Sequence, residues 1–221
     1  MEKNIAILMA DLSGYTALTE THGAKIAADL IDKYIHIANN CLVGDSKLHQ
    51  RTGDELMFVS DYPDNLLATA LNLEAHTTKE ENFLQVHGGL HFGKVLKRAD
   101  NYFGSTVNLV SRIAANAIAG TFWCSDDFVN SLKDNSICAF KLKGKHLFKN
   151  INGQKEIFEV SIEKTKTNYI DPVCRMLIGN PQNAIHHPNE EELYFCSSQC
   201  LKEYQANKSL SNQSREKYEL V

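Results

Sequence analysis

The run Ile5-Ala-Ile-Leu-Met-Ala10 holds six apolar residues without a polar interruption, and Asp11 follows it. A strand with one wet face alternates apolar and polar residues. This one does not, so residues 4–12 are expected to form a strand buried on both faces of a covered sheet. Asp11 then stands at the strand's end, and Ser13-Gly14 turns the chain.

The rest of the chain supplies partners for that strand. Ala27, Leu30, Ile31, Tyr34 and Ala38 recur at helical spacing, which predicts a helix from about Thr16 to Cys41. Lys47–Thr52 and Glu55–Ser60 read as strands around a tight Gly53-Asp54 turn. Pro63 opens a helix to about Thr77. Val86–Phe92 reads as a strand that Gly93 turns into a second hairpin arm, Lys94–Arg98. A helix follows from Gly104 to about Ala117, a strand at Thr121–Cys124, a short helix at Asp126–Leu132, and a closing hairpin of Ala139–Phe148 with Glu156–Ile162. Hairpins interleaved with helices predict an α+β sandwich, a mixed sheet with helices packed on it.

At 221 residues the chain has room for one medium domain and a small appendage. The net charge of −4 gives no basic footprint for nucleic acid. No apolar stretch approaches the roughly 20 residues of a membrane helix. The first residues lack the pattern of a signal peptide. These features predict a cytoplasmic protein with neither nucleic-acid nor membrane partners. The six cysteines fall into two groups. Cys41, Cys124 and Cys138 have apolar neighbours and read as small buried hydrophobes. Cys174, Cys196 and Cys200 crowd the last 50 residues and mark a second module. Lys164–Asn168 is polar and aperiodic. The expected division is a first domain at 1–163, a linker at 164–168, a module at 169–207 and a polar tail or end helix at 208–221.

Three distant segments carry chemistry: Asp11-Leu-Ser-Gly-Tyr-Thr16, Arg51-Thr-Gly-Asp54, and Phe103-Gly-Ser-Thr-Val-Asn108-Leu-Val-Ser-Arg112. With Gly88-Gly-Leu-His-Phe-Gly-Lys-Val95 and Lys143-Gly144, their order and spacing resemble the catalytic domain of class III adenylate/guanylate cyclases. The resemblance implies a ferredoxin-like nucleotidyl cyclase sandwich. It implies cyclisation of ATP or GTP with loss of pyrophosphate, assisted by two Mg²⁺ or Mn²⁺ ions. Asp11 and Asp54 would be the ions' carboxylate ligands, with the Leu12 carbonyl as a further oxygen. Backbone N–H groups of Ser13, Gly14 and Tyr15 would face the phosphates. Asn108 and Arg112 are four apart and share a helix face. By the resemblance, Asn108 orients the ribose, Arg112 stabilises charge growing on the α-phosphate, and Lys143 reaches the triphosphate. Such cyclases draw the metal aspartates from one subunit and the Asn/Arg helix from another, which implies a head-to-tail homodimer. The Val86–Arg98 hairpin is the candidate contact arm.

The chain departs from the pattern at the two positions that select the base. Adenylate cyclases typically carry Lys with Asp or Thr there, and guanylate cyclases Glu with Cys. This chain has Gln50 and Asn101. Each amide both donates and accepts, so reduced discrimination is expected, with ATP favoured.

Asp171-Pro-Val-Cys174-Arg-Met176 and Phe195-Cys196-Ser-Ser-Gln-Cys200 are similar to the YHS family, small modules linked to heavy-metal handling. Arg175 replaces that family's usual glycine. Cys196 and Cys200 lie one helical turn apart, and with Cys174 they can converge on a soft ion such as Zn²⁺ or Cu⁺. His186 and His187 are the candidates for a fourth ligand.

Overall fold

The computed structural model describes residues 1–161, 169–178, 181–190 and 192–218. The first strand, β1 (Glu2–Ser13), is buried at every residue from Ile5 to Ala10, as its unbroken apolar run requires. Helix α1 (Tyr15–Asn40) follows the Gly14 turn. It is broken inside at Gly23, where φ is 83° and ψ 165°, so Tyr15–His22 forms a separate first piece. β2 (Lys47–Thr52) and β3 (Glu55–Ser60) form the expected hairpin, then α2 (Pro63–Thr77). β4 (Gln85–Arg98), β5 (Asn101–Phe103), α3 (Ser105–Asn116), β6 (Phe122–Ser125), α4 (Asp126–Ser131), β7 (Ala139–Leu147) and β8 (Gln154–Ser161) complete the main body.

One mixed sheet results, in the order β2-β3-β1-β4-β6-β8-β7, with β5 on the far end of β4. Among the described residues of this sheet, only β4 and β6 run parallel and every other pairing is antiparallel. Alternation along β1 separates two cores. Ala6, Leu8, Ala10 and Leu12 pack with residues of α1, α2 and α4. Ile5, Ile7 and Met9 pack with Val110 and Ala114 of α3 on the other face. Asp11 follows the second set in parity and stands where β1 runs past β3.

One expected turn is absent. Gly93 does not reverse the chain: β4 continues through it, opposite Ile5, and the reversal comes at Ala99-Asp100. Glycine is needed here for close approach. A Cβ on Gly93 would meet Thr106 Oγ1 at 2.8 Å, and one on Gly89 would meet the backbone of α3 at 2.5 Å. The segment is thus one strand of the sheet, paired with β1 from Gln85 to Leu96 and with β6 from Gly88 to Leu90. Gly89→Ala should cost about 3 kcal/mol by overpacking α3. Differential scanning calorimetry should show a melting temperature lower by roughly 6–12 °C; an unchanged transition would mean that α3 can yield without cost.

After the expected linker, which lies outside the described residues, come β9 (Tyr169–Ile170), β10 (Leu177–Ile178), β11 (Ile185–His186), β12 (Tyr194–Phe195) and α5 (Ser198–Tyr218). Most of the expected polar tail continues α5. The tail is packed onto the main body. The Leu177 N–H donates to the Phe83 carbonyl at 2.6 Å, and the Asn82 N–H to the Leu177 carbonyl at 3.2 Å. Cys174, Met176, Phe195 and Cys200 are buried in the same apolar cluster as α1 and α2. Cys41 and Cys124 are buried as expected, and Cys138 half-buried. No helix among the described residues is long and apolar enough to cross a membrane.

Candidate active site

The end of β1 and the β2–β3 turn bring carboxylates together. Gly53, at φ 64°, gives the turn a backbone that favours glycine, and Asp54 follows it. Burial, then the charge of Asp11, pushes the Asp54 carboxyl up to about 6. Burial raises Asp11 as well, and burial and Asp54 together raise Glu55. Asp11 Oδ1 is buried with no hydrogen-bond partner among the described residues. A buried, unpartnered oxygen beside a second crowded carboxylate is costly without a cation. The pair fits a hard divalent ion. His87 lies opposite Asp11 on β4, its Nδ1 2.8 Å from Ser13 Oγ, and burial lowers its pKa. The buried Tyr34 hydroxyl also lacks a partner among the described residues; burial, then the charges of Asp11 and Asp54, holds it protonated. Sequence reasoning missed Glu55, His87 and Tyr34. Only Glu55, adjacent to Asp54, left a visible signal.

Next to the carboxylates, Gly14 caps α1 at φ 93° with no side-chain cap. The first N–H groups of a helix have no intrahelical partner, so those at and after Gly14 can receive an anion. Ser13 ends β1 opposite Gln85, and Gly14 and Tyr15 carry the chain from it into α1. The tail reaches this turn: a Cβ on Gly14 would lie 2.6 Å from Cβ and Cγ of Arg175. Arg175 has a left-handed backbone, φ 67°, a conformation that glycine adopts more readily than other residues.

Asn108 and Arg112 stand on the exposed face of α3. No hydrogen bond or ion pair joins either side chain to Asp11 or Asp54 among the described residues. Gln50 follows an irregularity in β2 and lines a narrow cleft with Met9, His49, Glu55, Tyr102 and Val107. Asn101 opens β5 as an exposed residue beside Tyr102. Lys143 is engaged within the chain, 3.0 Å from Glu159 and over the Trp123 ring.

In the tail, Cys174, Cys196 and Cys200 converge, but neither expected histidine joins them. His186 Nε2 contacts the Pro181 carbonyl at 3.1 Å, and His187 pairs with Glu190 at 3.5 Å. The fourth donor is His22, from the first piece of α1, and all four donor atoms lie within 4.8 Å of one another. The neighbouring Cys174 thiol and burial push Cys196 far above the ordinary thiol range, and burial pushes Cys200 up to about 12. Asp171, fully buried, accepts from the N–H groups of Val173, Cys174 and Cys196 at 2.8–3.1 Å and so fixes two of the thiols.

Residues 1–164 match the family described as adenylate and guanylate cyclase catalytic domain. The adenylate cyclase of Glutamicibacter nicotianae is 30% identical over 132 residues, 59% of this chain and 33% of that protein. A pH-sensitive adenylate cyclase of Mycobacterium tuberculosis is 27% identical over 168 residues, 75% of this chain and 42% of that protein. The chain thus spans about a third of the first of these curated relatives and under half of the second. Among solved structures, the adenylyl cyclase CyaB from P. aeruginosa superposes with a TM-score of 0.64 at 19% identity, covering 75% of this chain and 97% of that one. The guanylate cyclase domain of RhGC from Catenaria anguillulae, solved with GTP, gives 0.62 at 19% identity, covering 74% and 100%. These likenesses share the mixed sheet with packed helices.

Proposed function

Because the chain belongs to the adenylate and guanylate cyclase catalytic domain family, we propose that it is a nucleotidyl cyclase. It converts ATP, and GTP less readily, to a 3′,5′-cyclic nucleotide and pyrophosphate, in intracellular signalling. The observation that carries this reading is the buried, unpartnered Asp11 oxygen beside Asp54, at the end of the central strand.

Asp11 and Asp54, with the Leu12 carbonyl, hold the divalent ions. Mg²⁺ or Mn²⁺, when bound, makes the ribose 3′-hydroxyl a better nucleophile and neutralises charge on the leaving pyrophosphate. The N–H groups at Ser13, Gly14 and Tyr15 bind the phosphates. Asn108 orients the ribose, and Arg112 offers its planar fork to charge growing on the α-phosphate. Among the described residues, Asn108 and Arg112 make no bond to Asp11 or Asp54 of their own chain, in keeping with a head-to-tail homodimer. Each of its two sites then combines Asp11 and Asp54 of one copy with α3 of the other. Gln50 and Asn101 face the base, and their two-way hydrogen bonding gives weak base selection. The tail reads as a YHS-like module whose Cys174, Cys196 and Cys200 sense a soft ion, Zn²⁺ or Cu⁺.

The test is product formation by purified protein with Mn²⁺ and either ATP or GTP. Cyclic nucleotide and pyrophosphate should appear with both substrates, ATP ahead. A folded dimer that binds nucleotide and forms neither product would reduce the domain to a nucleotide-binding regulator.

A further inference from the structure

The tail thiols do not form a self-contained site. Cys174 Sγ lies 3.4 Å from Cys196 Sγ, which lies 3.6 Å from Cys200 Sγ. His22 Nε2 is 3.7 Å from Cys196 Sγ and 3.5 Å from Cys200 Sγ. A tetrahedral zinc with ordinary bond lengths places its sulfurs about 3.8 Å apart and sulfur from nitrogen about 3.6 Å apart. Four of the six edges fall within a few tenths of an ångström of those figures, and the other two, from Cys174 to Cys200 and to His22, are at most 4.8 Å. Three tail residues and one residue of the first helix thus outline a single coordination polyhedron.

Polar contacts between α1 and α5 flank it. Gln199 Nε2 donates to the Thr21 carbonyl at 2.6 Å, and Thr21 Oγ1 donates to Glu203 at 3.2 Å. Asp171 supplies the outer support that zinc sites commonly show, here through the cysteine backbones. At the other end of the eight-residue piece Tyr15–His22, Gly14 carries the stem of Arg175 on its α-carbon.

We propose that His22, Cys174, Cys196 and Cys200 bind one Zn²⁺ ion, and that this ion fastens the tail to the helix piece that begins at the Gly14 turn. The tail is then held to the main body by coordination bonds as well as by apolar packing. Losing the ion removes one of these restraints, loosening the His22 end directly and the Gly14 end through Cys174 and Arg175, while the packing and the α1–α5 hydrogen bonds remain. Ion binding and docking stand apart from the cyclase reading; only the meaning of the Gly14 turn as a phosphate seat rests on it.

Two measurements on the full, reduced, nucleotide-free chain test this. The first is titration with Co²⁺, followed by thiolate-to-cobalt charge transfer and tetrahedral d–d bands, with Zn²⁺ competition for affinity. One ion per chain is expected. His22→Ala should weaken Zn²⁺ binding by at least about 100-fold, beyond the usual loss for an outer-shell change. His22→Cys should restore it, and His186→Ala with His187→Ala should leave it unchanged. Wild-type affinity and spectrum in His22→Ala, or no cobalt bound by the wild type, would overturn the site. The second is hydrogen exchange over residues 15–22. Zn²⁺ should slow it in the wild type and not in His22→Ala, and equal exchange with and without Zn²⁺ would overturn the docking.

Discussion

Asp54→Asn should abolish at least about three orders of magnitude of cyclase turnover and yet raise the melting temperature of the ion-free protein by roughly 2–4 °C. The two effects have one cause. Asp54 is half-buried beside Asp11, and burial and that neighbouring charge push its carboxyl up to about 6. The ion-free folded state therefore bears a repulsion that a neutral amide removes, worth about 1 kcal/mol once solvent screening is allowed for. The sign follows from linkage. The folded-state pKa lies above the ordinary value of 3.8, so the folded state takes up the proton more readily. The stabilisation from protonation is complete below that ordinary value and is lost as pH rises through about 6. Ion-free wild type should lose melting temperature across that interval, and the gain from added Mn²⁺ should grow across it. Asp54→Asn should flatten both trends. Calorimetry at several pH values, with and without Mn²⁺, checks this. A variant that melts lower than wild type without ions would make Asp54 a structural residue of the turn instead.

Arg112→Ala should lower turnover by about 100- to 1,000-fold, the usual loss when one donor to a charged transition state is removed, with little change in folding. Arg112 is exposed on α3, and no hydrogen bond or ion pair holds its guanidinium among the described residues, so truncation leaves nothing buried unpaired. Mixing this variant with Asp54→Asn should return activity to neither parent's level. In a mixed head-to-tail dimer one site collects both defects and the other collects none. Random exchange of subunits should therefore restore up to about a quarter of wild-type turnover. Size exclusion confirms the exchange, and cyclic-nucleotide formation reads it. Mixed dimers without recovered activity would place Asp54 and Arg112 in the same site of one subunit.

What the residues announced in advance were local patterns. The unbroken run before Asp11 dictated a strand covered on both faces, and β1 is buried from Ile5 to Ala10. The Gly53-Asp54 pair dictated its hairpin. Gly93 misled because glycine answers two physical needs. A turn requires its backbone freedom, whereas a strand beneath a helix requires its missing side chain, and only the position of Thr106 reveals which applies. The fourth donor of the tail was illegible for a different reason. His22 and Cys174 are some 150 residues apart in sequence, and no window of spacing joins them. His186 and His187 were nearer in sequence, but Pro181 and Glu190 already occupy them. The carboxylates themselves were readable as residues, and the unpartnered state of Asp11 Oδ1 was not, because it depends on every atom around it.

The break at Gly23 gives the two ends of α1 separate mechanical fates. In an unbroken helix, a tilt of the first turns would be carried into Leu30, Ile31 and Tyr34 and resisted by a close-packed interior. Here the piece from Tyr15 to His22 is anchored by its own buried Leu18 and joins the longer piece through the non-helical backbone of Gly23, not through continuous helical hydrogen bonding. A shift at the His22 end would therefore reach Gly14 along eight residues of helix without first crossing the longer piece. Because Cys174, Met176, Phe195 and Cys200 share that core, the appended residues contribute to the stability of the body they rest on.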